Sequence, residues 1–264
     1  MAKKLLNGGN EKMVRKHARR PGRSAQRSQR ALGAAVILAA AGTAGCGVFQ
    51  TAAPTLSGMQ HQITTGEQIS AATQAEAAQA EAARLRAGVA AGAQSFATDH
   101  KVTGDEVVAI GDSVMAASAL ALADAMPGIY IDAKPDREMP AGLAILRHLA
   151  ATGRLRPVLV LGLGTNYLVT ASQLSQVLQI LGPDRKLVLI NTYVPDSWSK
   201  QVNVTDAAFA RQHPSIVLAN WYNTIRSRMY LLWPDHIHPE IPGTKVYARM
   251  VYRAVQATRH TPAG

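Results

Sequence analysis

The stretch Val107-Val108-Ala109-Ile110-Gly111-Asp112-Ser113-Val114-Met115 decides the fold. Its first four residues are apolar without a break, as in a strand that is buried on both faces of a parallel sheet. Gly111, Asp112 and Ser113 then interrupt the run, and an Ala- and Leu-rich helical pattern follows. Ligands of open α/β sheets bind outside the carboxyl ends of the strands. Ser113 is therefore a candidate nucleophile at a helix N-terminus, although Gly-Asp-Ser is also ordinary turn chemistry.

Beyond this stretch, apolar runs of strand length alternate with helical patterns almost to the C-terminus. The predicted strands are 106–111, 128–133, 157–162, 186–192 and 215–220. The predicted helices are 114–126, 138–152, 171–182, 204–212, 221–228 and 242–258. This alternation predicts a three-layer α/β/α sandwich around a five-stranded parallel sheet. Right-handed crossovers would then bring every strand-to-helix loop to the same rim of the sheet.

The charge of the chain is concentrated at its N-terminus. The 264 residues carry a formal net charge of +11, but residues 1–30 hold ten Lys and Arg and a single acid, so the rest is close to neutral. This distribution argues against nucleic-acid binding, which would need a basic face on the folded domain. Residues 1–30 are interpreted as a basic cytoplasmic tail or as the n-region of an export signal.

Residues 31–49 follow as an apolar segment, for which two interpretations remain open. In the first, Thr43-Ala44-Gly45-Cys46 resembles a bacterial lipoprotein box, and Cys46 would be lipidated. In the second, the segment is an uncleaved anchor just long enough to span a bilayer, and Cys46 is inert. Both interpretations predict a chain that is anchored at the cell membrane near its N-terminus, with an extracytoplasmic domain.

A linker at residues 50–65 and a helical stalk at residues 66–98 are predicted next. The second segment is rich in Ala, Gln and Glu, which are good helix formers, and has few large apolar side chains to bury. A partly disordered spacer is the alternative for it. The folded domain is predicted to occupy residues 99–264.

Three motifs fall on the predicted rim of the sheet. They are Gly111-Asp112-Ser113, Gly162-Leu163-Gly164-Thr165-Asn166 and Asp235-His236-Ile237-His238. In order and spacing they resemble the blocks Gly-Asp-Ser, Gly-x-Asn and Asp-x-x-His of the SGNH/GDSL hydrolase superfamily. The resemblance covers residues 104–258. It implies the flavodoxin-like SGNH fold and a serine-dependent acyl-ester enzyme without a cofactor or a metal.

Elementary chemistry assigns roles to the same residues. A serine hydroxyl needs a neighbouring base, and His238 can accept the proton of Ser113. Asp235 is close enough in sequence to hold the tautomer of that imidazole. His236, directly beside Asp235, is the rival base. The amide of Asn166 and the N–H of Ser113 are natural donors to an oxyanion.

Part of the expected oxyanion hole is harder to assign. Gly164 is included in it because it lies in the same segment as Asn166. The second block of the family normally supplies a glycine N–H, but residues 132–137 contain no glycine. The donor is then the backbone of Asp136 or Arg137, or it is missing.

Details outside the three motifs indicate one branch of the superfamily. They are Asp132 to Arg137, Val194-Pro195-Asp196-Ser197-Trp198 and Asn220-Trp221. These segments resemble the SGNH domains that work with membrane acyltransferases to O-acetylate peptidoglycan and surface polysaccharides. The leading hypothesis is therefore O-acetyl transfer to a cell-envelope glycan, with a multi-pass membrane acyltransferase as the implied partner. An esterase that hydrolyses acyl esters and a non-catalytic envelope-binding module are the alternatives.

Four further residues are candidates for substrate contact. Arg137 would guide an anionic substrate or pair with a carboxylate at the rim. Trp198 and Trp221 would stack on a sugar or pack in the protein. Tyr167, next to Asn166, is a candidate without an assigned role.

Overall fold

The centre of the fold is a parallel sheet in the strand order β2-β1-β3-β4-β5. The computed structural model describes residues 56–86 and 101–262. The strands are Val107–Gly111 (β1), Tyr130–Ala133 (β2), Val158–Gly162 (β3), Lys186–Ile190 (β4) and Ile216–Ala219 (β5). All four strand pairs are parallel. The predicted five-stranded parallel sheet is confirmed, and each strand lies within about two residues of its predicted bounds.

Helices cover both faces of this sheet. In the described residues they are Leu56–Arg86 (α1), Ser113–Ala117 (α2), Ala119–Ala125 (α3), Met139–Ala151 (α4), Ala171–Leu181 (α5), Ser199–Gln212 (α6), Trp221–Ile225 (α7) and Ile241–Ala257 (α8). Short 3₁₀ turns lie at Gly104–Glu106, Met229–Leu231 and Thr258–His260. The predicted helix 114–126 is split at Ser118, whose hydroxyl donates to the Val114 carbonyl at 2.9 Å. Such back-bonding competes with the helical ladder.

Two apolar layers hold the sheet between the helices. Alternate residues of β1 enter opposite layers, because side chains alternate across a strand. Val107 and Ala109 pack with α2, α3, α7 and α8, whereas Val108 and Ile110 pack with α4, α5 and α6. All residues of β1, β3 and β4 are buried, as the unbroken apolar runs predict.

The segment predicted as a stalk differs most from expectation. α1 begins inside the predicted linker and packs along edge strand β2 and against α2 and α3. Its buried face is formed by small residues, Gly66, Ser70 and Thr73. The segment was predicted to be a stalk because it has few large apolar side chains to bury. The small polar side chains of this face instead form hydrogen bonds with the backbone at the open edge of β2. A stalk that stands free of the domain is therefore not supported.

Several predicted segments lie outside the described residues. They are the basic tail at 1–30, the anchor at 31–49 with Cys46, the first part of the linker and the end of the predicted stalk beyond Arg86. Within 56–86 and 101–262, no helix combines the length and the apolar character that crossing a bilayer requires.

Candidate active site

Ser113 lies where the sequence predicts it, at the carboxyl end of β1. It is the first residue of α2, so its N–H has no acceptor within the helix. Gly111 is required just before it, since a Cβ at that position would lie 2.5 Å from the Met115 side chain. The chain can therefore turn sharply from strand to helix and present the serine hydroxyl at the rim.

Asp112 joins two of the predicted motifs. Its Oδ1 accepts from the Val114 N–H at 3.1 Å, and its Oδ2 accepts from the Thr165 N–H at 3.3 Å. Burial raises the pKa of Asp112 to about 6, against the lowering effect of bonds from Thr165 and Val114. The carboxylate is thus a tie between the serine turn and the loop after β3, rather than a group that faces substrate.

A short closed loop carries the Asp-x-x-His motif. Leu232 and Pro239 pair across its base, and the Trp233 N–H donates to the His238 carbonyl at 2.8 Å. Inside the loop, Asp235 Oδ1 accepts from the N–H groups of Ile237 and His238 at 2.9 and 3.1 Å. These bonds fix the backbone on which the imidazole stands.

Ser113, His238 and Asp235 form a continuous hydrogen-bonded relay. His238 Nε2 is 2.8 Å from Ser113 Oγ, and His238 Nδ1 is 2.6 Å from Asp235 Oδ2. The carboxylate can only accept, so Nδ1 donates to it and Nε2 accepts from the serine. This is the tautomer that a general base for Ser113 requires.

The electrostatics of the loop keep Asp235 ionised. Burial by itself would raise its pKa, but the hydrogen bond from His238 and those from the backbone N–H groups of Ile237 and His238 outweigh it. The net effect is a lowered pKa. His236, the rival base in the sequence, is exposed with φ at 59° and has no bond to Ser113.

Candidate oxyanion donors line the same cleft as Ser113. One N–H of the Asn166 amide donates to the Arg137 carbonyl at 3.1 Å, which leaves the second for a ligand. Asp136 lines the same cleft with φ at 57°, a left-handed conformation that Asp tolerates better than most residues. Among the described residues, the backbone N–H groups of Asp136 and Arg137 have no acceptor. This turn occupies the place where the family has its second-block glycine.

A cleft of about 270 Å³ opens beside the relay. Its lining combines apolar, aromatic and polar side chains around the serine. These residues are Ile63, Ser113, Pro135, Asp136, Thr165, Asn166, Val194, Asp196, Trp198, Ile237 and His238. The volume suits a small acyl group together with part of an acceptor.

Two further predicted site residues, Arg137 and Gly164, are not among the residues that line the cleft. Arg137 pairs with Asp132 at 2.7 Å and also donates to the carbonyls of Asp132 and Gly111, so its guanidinium is engaged within the fold. Gly164 adopts a φ of 131°, and its carbonyl accepts from Trp198 Nε1 at 3.3 Å. It is not among the residues that line the cleft, and it supports the wall through Trp198.

The aromatic candidates separate into surface and core. Tyr167 is 56 % exposed, and its ring centroid lies 6.1 Å from that of Trp198, which lines the cleft. Trp221 is buried and packs edge-on against Tyr247 at 5.1 Å. Packing is therefore the role of Trp221, and Tyr167 and Trp198 form the aromatic pair that a ligand can reach.

Sequence reasoning missed the contribution of α1. Ile63 lines the cleft, and Gln62 bonds the loop that carries His238. A signal for this contact exists in the spacing of four and three residues along the helix. It runs through Met59, Ile63, Gly66, Ser70, Thr73 and Ala77. The interpretation as a stalk overlooked this stripe because only two of its members are large and apolar.

No grouping of three or more His, Cys, Asp or Glu suited to a metal occurs in the parts of the chain that the structure covers.

Comparison with solved structures identifies the fold. The catalytic C-terminal domain of peptidoglycan O-acetyltransferase A from Streptococcus pneumoniae, with a methylsulfonyl adduct, superposes with a TM-score of 0.55 at 21% sequence identity. The match covers 62% of this chain and 98% of that one. The chain therefore shares the fold of that catalytic domain.

Sequence comparison finds relatives with similar names. The chain is 30% identical over 155 residues to YrhL of Bacillus subtilis, which bears the name of a peptidoglycan O-acetyltransferase. It is 30% identical over 146 residues to the peptidoglycan O-acetyltransferase OatA of Listeria monocytogenes. These matches cover 59% and 55% of this chain, but only 24% and 23% of those proteins. The chain thus spans about a quarter of the length of the curated relatives that it matches, and no family model matches it.

Proposed function

We propose that the chain carries an SGNH domain and that this domain transfers an acetyl group to a hydroxyl of a cell-envelope glycan through an acyl-Ser113 intermediate. The observation that carries this proposal is the relay from Ser113 through His238 to Asp235, with separations of 2.8 and 2.6 Å. The relay opens into a cleft that also holds oxyanion donors. A binding module would have no need for this combination.

The first half of the reaction forms the acyl-enzyme. Ser113 Oγ attacks the carbonyl carbon of the acyl donor while its proton passes to His238 Nε2. The negative charge that develops on the carbonyl oxygen is stabilised by the N–H of Ser113, the amide of Asn166 and the turn at Asp136. The bond from carbon to the leaving oxygen then breaks, and His238 returns the proton to that oxygen.

The second half transfers the group. A glycan hydroxyl gives its proton to His238 as its oxygen attacks the ester carbon of acyl-Ser113. The bond to Ser113 Oγ breaks, the serine regains the proton, and the acetylated sugar leaves. Water in place of the sugar gives free acetate, which is the esterase alternative.

The cleft favours a sugar as acceptor. Trp198 lines it and has the exposed ring of Tyr167 as its neighbour, and apolar sugar faces pack on such rings. Asp196 and Asn166 add oxygen acceptors beside them. The similarity to proteins named peptidoglycan O-acetyltransferases supports transfer over hydrolysis.

The proposal includes the place and the partner of the enzyme. A basic N-terminus followed by an apolar segment supports an anchor at the cell membrane with the domain on the outer side. The acetyl group would then arrive from a multi-pass membrane acyltransferase that carries it outward. The same placement gives the domain access to peptidoglycan or a surface polysaccharide.

Purified full-length chain tests the chemistry. With p-nitrophenyl acetate as donor, the wild type should release p-nitrophenol, and Ser113→Ala should reduce the rate to background. Equal inertness of the two proteins would favour the binding module. The exposed Ser175 gives the matched control, because Ser175→Ala removes the same hydroxyl far from the cleft and should retain full activity.

Adding an acceptor then separates transferase from esterase. With an oligomer of N-acetylglucosamine present, a transferase should convert most acyl-enzyme into acetylated sugar, which mass spectrometry detects. If acetate remained the sole product with sugar oligomers and with soluble peptidoglycan fragments, the esterase alternative would be correct.

A further inference from the structure

α1 is held against the SGNH domain at defined positions. The Ser70 hydroxyl donates to the Ile131 carbonyl at 2.8 Å and accepts from the Ala133 N–H at 3.0 Å. Thr73 Oγ1 accepts from the Ile131 N–H at 3.0 Å. The two side chains thus take the place that a neighbouring strand would have at the edge of β2. These bonds fix the position of α1 along the sheet.

The N-terminal half of α1 reaches the elements that carry nucleophile and base. Gln62 Nε2 donates to the Ala117 carbonyl at 3.1 Å and to the Pro239 carbonyl at 2.8 Å. Ala117 ends the helix that begins at Ser113, and Pro239 directly follows His238. One amide group therefore joins the serine helix to the histidine loop. The next residue, Ile63, lies in the cleft between them.

The lining of the cleft comes from elements on both sides of β1. Ile63, from α1, stands on the side of β2 and α2 and is joined through Gln62 to the loop that carries Ile237. Asp196 and Trp198 follow β4, on the far side of the strand that precedes Ser113. Asp196 and Trp198 suit a sugar, whereas Ile63 and Pro135, next to Asp136, offer apolar surface to the hydrocarbon part of an acyl group.

We propose that Ile63 of α1 determines the length of the acyl group by closing the apolar side of the cleft beside Ser113. This inference rests on the proposed function and adds a specificity-determining residue to it. An acyl group longer than acetyl on Ser113 Oγ would clash with the branched side chain of Ile63. Gln62 and Ser70 hold the helix by hydrogen bonds on both sides of Ile63. Moving Ile63 away from the cleft would therefore break these hydrogen bonds.

A series of esters measures the effect in the full-length chain. The probes are p-nitrophenyl acetate, butanoate and hexanoate, and the readout is the ratio of kcat/KM for butanoate to that for acetate. Ile63→Ala should raise this ratio about tenfold, the range for one or two methylene groups in an apolar pocket. Ile63→Val, which keeps the branched shape, should raise it less and covers the case in which the alanine variant folds poorly.

Ile69 supplies the matched control. It is the same residue type on the same helix, but it packs against the apolar core and not against the cleft. Ile69→Ala should therefore lower the thermal midpoint and leave the ester ratio at the wild-type value.

The outcomes separate this inference from the proposed function. If the wild type cleaves acetate in a Ser113-dependent way, but Ile63→Ala and Ile63→Val keep the wild-type ratio, the role of Ile63 is overturned and the acyl chemistry stands. An equal rise in Ile69→Ala would also overturn it, because the cause would then be loosening of the helix. If the wild type and Ser113→Ala are equally inert toward all three esters, the proposed function fails and this inference fails with it.

Discussion

At the scale of the residue, Asp235 shows how a single carboxylate serves both structure and chemistry. One oxygen binds two backbone N–H groups of its own loop, and the other binds the imidazole of His238. The first set of bonds holds the loop, and the second selects the tautomer. The two roles can be separated by replacing the carboxylate with an amide.

Asp235→Asn should lower kcat by about 10³- to 10⁴-fold with little loss of stability. The asparagine oxygen can still accept from the backbone, but its NH₂ group facing Nδ1 would move the imidazole proton to Nε2. That nitrogen could then no longer accept the proton of Ser113. Steady-state kinetics on p-nitrophenyl acetate measure the loss, and retention of more than a tenth of the activity would contradict the assigned role.

Asp206 in α6 is a buried acid outside the active site. It is fully buried, and neither carboxylate oxygen has a hydrogen-bond partner within the described residues. Burial raises its pKa from 3.8 to about 8. The folded state therefore keeps a proton that the unfolded chain loses above about pH 4, so this residue makes the protein less stable as pH rises toward 8.

Asp206→Asn should remove that dependence on pH. The difference in unfolding free energy between the variant and the wild type should grow in favour of the variant from pH 5 to about pH 8, as chemical denaturation at each pH would show. Asp184→Asn, at an exposed carboxylate in the loop before β4, is the matched control. If the difference in unfolding free energy between Asp206→Asn and the wild type stayed constant across this pH range, the pKa of Asp206 would be the same in the folded and unfolded states.

At the scale of the element, α1 and β2 stabilise each other through side-chain bonds to backbone. An edge strand exposes unpaired N–H and C=O groups. Here Ser70 and Thr73 satisfy those of Ile131 and Ala133 without a sixth strand. Gly66 allows the close approach, since a Cβ there would lie 1.7 Å from the Ala116 carbonyl oxygen.

Ser70→Ala should lower the unfolding free energy by about 1–3 kcal/mol, because the Ala133 N–H would be left buried without its partner. The exposed Ser175→Ala should change it by less than about 0.5 kcal/mol. Thermal or urea unfolding of the two variants makes the comparison. Equal effects at the two sites would mean that water replaces the bond to β2.

At the scale of the whole molecule, α1 is an integral part of the folded domain. Removing residues 1–86 should lower the thermal midpoint and cause self-association, since the backbone of β2 would be open to another chain. Light scattering over a range of concentrations measures the association. A truncated protein that stays monomeric with an unchanged midpoint would show that the sheet does not need the helix.

Much of the fold could be predicted from the local pattern of apolar and polar residues alone. Unbroken apolar runs predicted the parallel strands, because such runs are stable only between two layers of helices. The residues at which a helix begins or breaks were harder to predict. α6 starts at Ser199 rather than at 204, and the first helix after Ser113 breaks at Ser118. Both features depend on hydrogen bonds and packing that a pattern of residue types does not specify.

The parallel sheet, the place of Ser113 and the Asp-x-x-His segment with its two candidate bases could all be predicted from the sequence. Each follows from periodicity or from residues that are near one another in the chain. The structure was needed to show that His238 rather than His236 bonds Ser113, that Arg137 is paired with Asp132, and that α1 contributes Ile63 to the cleft. The bond of His238 to Ser113 and the packing of α1 both join residues that are far apart in the chain. Gln62 and Pro239 are 177 residues apart, and a contact made by small polar side chains leaves no apolar periodicity strong enough to predict it.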